Sequence, residues 1–170
     1  MLKHLSVLVA LLLTVLPAQA AEEAGLDTAD KPAMACTQMW CQEGLTLNLN
    51  GDEWPAGDYY FAIKLDGKLT NCKAKLPFKN CESNVICNTK DVTIGESGCA
   101  LPPESHSFNA ILSQQAPSDV AVAIRRADGK YFVWDNSPQK ICTFPNGAQC
   151  DERECCSVYS EINVVWESQP

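Results

Sequence analysis

The chain has 170 residues and a formal net charge of −8, with 13 basic and 21 acidic side chains, two histidines and ten cysteines. That acidity lacks the electrostatic footprint of a nucleic-acid binder and works against contact with anionic lipid headgroups. The poverty of histidine leaves little room for imidazole catalysis or zinc chemistry, because one of the pair, His4, stands at the extreme amino terminus.

Residues 1–20 read as a cleaved signal peptide, with Lys3 and His4 at a basic start, an apolar run through Leu16, and Ala18-Gln19-Ala20 as a small-residue cleavage site. The apolar run is short beside the roughly 20 residues that a membrane span needs, so no span is expected after cleavage. Loss of Lys3 and of no acid takes the mature charge from −8 to −9. Residues 21–35 are small, acidic and aperiodic, the composition of a disordered leader. Residues 36–168 then form a single cysteine-rich domain, long enough to bury a core.

All ten cysteines fall in that domain: Cys36, Cys41, Cys72, Cys81, Cys87, Cys99, Cys142, Cys150, Cys155 and Cys156. An even number in an exported chain reads as a disulfide framework and places the protein in the periplasm or outside the cell. Connectivity stays open. Spacing makes Cys36–Cys41 and Cys81–Cys87 local candidates, Cys72 is placed for a bridge between layers, and the adjacent Cys155 and Cys156 are expected to take separate partners.

Leu45, Leu47 and Leu49 alternate with polar residues as a first strand. Residues 54–76 are expected to be a hairpin around which the chain is organised. Tyr59, Phe61, Ile63 and Leu65 share one face, and Asp66-Gly67 suits a two-residue type I′ turn. That turn sets Phe61 opposite Cys72 and Tyr59 opposite Ala74, with Lys73 and Lys75 on the other face; a slip of one residue would aim the lysines inward. Val92 and Ile94 predict a short strand, Phe108 to Leu112 a weaker one, and Val120, Val122 and Ile124 a stronger one. A three-residue loop ending at Gly129 then sets Val122 and Ile124 against Trp134 and Phe132. Val158, Ile162, Val164 and Trp166 share one phase of a last strand. With no capped helical period, the pattern predicts an all-β fold: a disulfide-stabilised antiparallel β-sandwich, Ig-like, of about seven short strands. A closed barrel is the alternative.

Candidate chemistry is sparse. A hydrolase would have to centre on His106, between Ser105 and Ser107 and close to Glu104, but sequence neighbours are not a triad, and a surface or capping histidine is the plainer reading. Cys-x-x-Cys spacing is missing, and no phosphate loop or other cofactor motif follows a strand, so no cofactor is expected. The acidic runs Asp151, Glu152, Glu154 and Asp52, Glu53, Asp58 could supply oxygens to calcium, but neither matches an EF-hand loop and the plainer reading is a solvated face. Among the aromatics, Trp134 and Trp166 are in phase with the core, whereas Trp40 and Trp54 lie in loops and Tyr60 faces outward. Trp40, Trp54 and Tyr60 are therefore the candidate contacts for a protein or glycan ligand.

Trp54-Pro55-Ala56-Gly57-Asp58-Tyr59, Cys72, the stretch from Gly95 to Pro102, and Pro145-Asn146-Gly147 ahead of Cys150 resemble small, cysteine-rich exported bacterial proteins of unassigned function. The resemblance covers most of residues 36–166; it implies export and a β fold and carries no activity to any residue. The expected role is an exported binding or structural module without catalytic machinery. The alternative is an inhibitor of an extracellular enzyme acting through a cysteine-bounded loop, residues 143–149 or 82–86, whose preordering would save entropy on binding.

Overall fold

The Asp66-Gly67 turn takes positive φ at both positions, 46° and 85°, as a type I′ hairpin requires. From it the computed structural model runs β2 (Gly57–Leu65) against β3 (Lys68–Leu76), with Leu65 opposite Lys68, Phe61 opposite Cys72 and Tyr59 opposite Ala74. The structure describes residues 35–51, 53–79 and 81–168; the predicted signal peptide and nearly all of the leader lie outside them. Asp66 also ties the turn to the rest of the sheet, since its carboxylate accepts the backbone N–H groups of Ser118 and Asp119, each at 2.9 Å. Those donors, Asp119 first, hold its carboxyl below the usual range.

The remaining strands are β1 (Gly44–Asn50), β4 (Ile86–Cys87), β5 (Val92–Ser97), β6 (Ser107–Ser113), β7 (Val120–Arg126), β8 (Tyr131–Asn136), β9 (Lys140–Thr143) and β10 (Cys155–Asn163). They form two five-stranded sheets, ordered β5-β6-β1-β10-β9 and β4-β3-β2-β7-β8. The inner faces meet through Leu45, Leu47, Phe108, Ile111, Val158 and Ile162 of the first sheet and Tyr59, Phe61, Ile63, Val122 and Ile124 of the second, all at most 2 % exposed. Phe108 touches Tyr59 at 5.3 Å and Phe61 at 5.2 Å between ring centroids, near-perpendicular in both cases. The all-β sandwich is thus the fold, and Val122 pairs with Trp134 and Ile124 with Phe132 in the predicted register.

One pairing departs from the antiparallel expectation. The first and last strands, β1 and β10, lie side by side and run parallel from Gly44 opposite Ser157 to Asn50 opposite Asn163. A parallel pair needs a long crossover, and here nearly the whole domain supplies it. Gly44 starts β1 at φ +107°, where a Cβ would fall 2.0 Å from the Ser113 carbonyl oxygen; only glycine allows that approach.

The bridges also differ from the local pairs suggested by spacing. They join Cys36 to Cys150, Cys41 to Cys155, Cys72 to Cys87, Cys81 to Cys99 and Cys142 to Cys156. Cys36 and Cys41 do not pair because each reaches the tail beside β10. Cys87 pairs with Cys72 and not Cys81 because β4 sets it directly opposite Cys72, so this bridge stays within one sheet and does not span the layers. Cys155 and Cys156 take separate partners, since successive strand residues point to opposite faces.

Tyr59 closes one end of the core. Its hydroxyl donates to the Pro55 carbonyl at 2.5 Å, and burial, the largest influence, pushes its pKa up from 10.0 to about 12. A raised pKa means that the unfolded chain loses this proton first. The stabilisation is therefore whole below pH 10 and is lost as pH climbs toward about 12. Between pH 10 and about 12 the parent should lose stability toward denaturant more steeply than Tyr59→Phe, whatever their difference at neutral pH, as followed by circular dichroism. Tyr131, raised by the neighbouring Glu167 carboxylate, and Tyr159, raised by its hydrogen bond to Glu161, remain in both proteins, so an equal slope would refute the role assigned to Tyr59.

Candidate functional site

Trp40, Trp54 and Tyr60 are placed in three different settings. Trp54 is only 9 % exposed, which corrects the expectation that a loop position beside proline would leave it free. Its ring meets Phe108 at 5.3 Å, Trp166 at 5.4 Å and Tyr59 at 5.6 Å, so it caps the aromatic end of the core. The gain from burying so large a ring outweighs the loop's freedom. Trp166 is partly buried there and donates its indole N–H to the Glu53 carbonyl at 3.0 Å.

Beside this cap lies a cleft of about 720 Å³ lined by Trp54, Pro55, Pro77, Glu104, Ser105 and His106. His106 is buried, so of the two plain readings, surface or capping, only the second holds: it is the C-cap residue of the short 3₁₀ turn Pro103–Ser105. Its Nδ1 accepts the Phe78 backbone N–H at 2.9 Å, and its other nitrogen lies 3.2 Å from the Leu101 carbonyl oxygen. A backbone N–H only donates, so Nδ1 is the bare nitrogen and Nε2–H donates to Leu101. Both nitrogens are spent on the main chain, leaving neither to accept a proton from Ser105 or Ser107. The ring also stacks on Phe78, at 5.1 Å and 14°. This imidazole joins the Leu76-to-Lys79 segment to the short 3₁₀ turn Pro103–Ser105.

Trp40 is 91 % exposed, more than any other large apolar side chain among the described residues. Its backbone is nevertheless fixed on both sides. Cys41 is bridged to Cys155, and Cys36 to Cys150. Between them the Asn146 side chain grips the Met39 main chain, accepting its N–H at 2.6 Å and donating to its carbonyl at 3.1 Å. Asn146 Oδ1 also lies 2.9 Å from the Thr37 hydroxyl. Asp151 orients this clamp, accepting from the Asn146 backbone and side-chain nitrogens, each at 2.8 Å. A bidentate ion pair from Arg153 to Glu43 fastens the same segment. Met39 and Phe144, on the two strands of chain that the clamp joins, are themselves exposed.

The clamp accounts for one member of the acidic tail run, since Asp151 holds Asn146. Asp52 of the other run lies outside the described residues. Two clusters of cysteine with glutamate, Cys41-Glu43-Cys155 and Cys142-Glu154-Cys156, have the proximity of a metal site. Their sulfurs are joined in disulfides, which removes the thiolates that a metal would need.

Tyr60 stands on the outer face of the second sheet, between Lys73 of β3 and Arg125 of β7, its direct neighbours in register. The cations lie 5.6 and 5.3 Å from its ring centroid. No family model, curated relative or solved structure matches the chain, so function has to be argued from these three settings alone.

Proposed function

We propose that the protein is an exported binding module that docks a protein partner through Trp40. One observation carries this reading: a tryptophan 91 % exposed on a main chain held by two disulfides and an asparagine clamp. An exposed indole on a mobile segment would lose entropy when captured. This one has already lost it, so insertion into an apolar pocket gains most of the hydrophobic free energy, as at interface hot spots rich in tryptophan. Met39 and Phe144 supply an apolar rim. The five bridges suit an oxidising compartment, and no helix among the described residues is long and apolar enough to cross a membrane.

Loop 143–149 supports the inhibitor alternative less directly. Its central residue, Asn146, is spent holding the Trp40 segment, so the loop acts as a buttress and Trp40 as the contact. An enzyme as partner would still make the module an inhibitor.

Trp40→Ala is expected to leave the thermal midpoint within about 2 °C of the parent, since little surface is buried there. It should weaken partner binding by about 2 kcal/mol or more. Photo-crosslinking from position 39 in the native envelope and medium identifies the partner, titration of the purified partner reads the affinity, and a thermal melt of each protein reads the midpoint. A partner that binds Trp40→Ala as tightly as the parent would sink the proposal.

A further inference from the structure

We infer a second binding site, for an acidic oligosaccharide, on the outer face of the β3-β2-β7-β8 sheet. The chain as a whole carries −8, yet this face presents Lys64, Lys73, Lys75 and Arg125 against Asp58, Asp135 and, beside Tyr131, Glu167, by strand alternation from the buried Tyr59, Cys72, Ile124 and Phe132. Basic charge has been gathered on one face of an acidic molecule. Neither Lys73 nor Arg125 is in an ion pair among the described residues, where the bridges are Lys68–Asp91, Arg126–Asp128 and Arg153–Glu43. The two cations flank the Tyr60 ring from its neighbouring strands. Beside them is a trough of about 380 Å³ floored by Ala62 and Ala123 and walled by Tyr60, Asn71, Arg125 and Tyr131, within the size range of small-molecule sites.

The ligand chemistry follows from these groups. A carboxylate at the Tyr60 end of the trough makes charge-assisted hydrogen bonds with Arg125, and Lys73, on the other side of the Tyr60 ring, adds a second positive charge. The alanine floor admits a ring that larger side chains would exclude. At the far wall stands the Tyr131 phenol, beside the Glu167 carboxylate that raises its pKa, and it offers a hydroxyl to the hydroxyls of a sugar ring. A carboxylate carried on a hydroxyl-rich ring is the chemistry of a uronate-containing glycan. An acidic peptide has no free edge to join here as an added strand, since β2 and β7 are paired on both sides.

The test is amide NMR on the disulfide-intact domain titrated with hexasaccharides of galacturonan, alginate and hyaluronan. Neutral galactan hexasaccharide, free galacturonate and hexaglutamate serve as comparisons. At least one uronate hexasaccharide should shift the amides of Ala62, Ala123 and Val133, with affinity falling at least about tenfold in Arg125→Gln and in Lys73→Gln. Affinity should also fall between about 50 and about 500 mM salt. Trp40→Ala should bind the same hexasaccharide as the parent does, which separates this site from the protein-docking one. The inference is overturned if no uronate hexasaccharide moves those amides. It is also overturned if hexaglutamate, free galacturonate or the neutral hexasaccharide binds as tightly, or if binding follows Trp40.

Discussion

Replacing Cys36 and Cys150 by serine, or Cys41 and Cys155, should cost about 3 kcal/mol in either case, whereas replacing all four should cost about 7–8 kcal/mol. Both bridges span 114 residues of sequence, and each alone closes a very long loop. They are parallel, however. With Cys36–Cys150 in place, Cys41 and Cys155 are already tethered through five residues on each side, so the second bridge closes a ring of only about ten residues and removes about 3 kcal/mol of denatured-state entropy. The first bridge to form, whichever it is, closes the long loop and removes nearer 5 kcal/mol. Guanidinium unfolding of the two double-serine variants distinguishes this from independent staples: costs of about 5 kcal/mol each would overturn it. The coupling is of the kind expected where two devices constrain one element. Function should be less forgiving, since each bridge fixes one side of Trp40, and partner affinity should drop on loss of either.

These bridges also show why the sequence was legible in one place and not in another. The β2-β3 hairpin could be read residue by residue because its information is local: a two-residue turn that demands positive φ, and an alternation that a slip would invert. The β7-β8 pair followed from the same kind of evidence. The parallel β1-β10 pair has no turn to set it; its register comes from packing between chain ends more than a hundred residues apart, and no short stretch encodes that. Cysteine pairing inherits the same difficulty, because Cys41 meets Cys155 just ahead of where those strands come together.

Two strands left almost no signal. All four residues of β9 are exposed, so it shows no alternation, and Cys142 sits opposite Cys156 to pin it. β4 is two residues long. β6 looked weak because its period is broken. The register with β5 shifts between Gly95 and Glu96, leaving Asn109 unpaired, and this extra residue lets both Phe108 and Ile111 face inward. Of the candidate contacts, Tyr60 was legible from alternation, and Trp40 from its place between cysteines. Trp54 was not, because its burial depends on Trp166 and Phe108, which arrive from distant strands. Asn146 carried a turn signal but no hint of its grip on Met39, which becomes visible only once Cys36–Cys150 brings the two segments together.

His106→Leu should destabilise the domain by about 3–5 kcal/mol, lowering the thermal midpoint by roughly 10–15 °C. The leucine fills similar space but leaves the Phe78 N–H and the Leu101 carbonyl without their buried partners, and each orphan costs about 1–3 kcal/mol. The stack on Phe78 is lost as well, for about another 1 kcal/mol. Two further variants separate the contributions. In His106→Asn the side-chain oxygen stands near the place of Nδ1 and can accept from Phe78, whereas in His106→Gln the amide N–H reaches the place of Nε2 and can donate to Leu101. Both should lie between the parent and His106→Leu in stability. Hydrogen exchange at the Phe78 amide should be slow in the parent and in His106→Asn, and fast in His106→Gln and His106→Leu. Equal stability across the four proteins would mean that the imidazole is not the tie described. It would then return to consideration as a group free for proton transfer, beside Ser105 and Ser107 in the cleft that all three line.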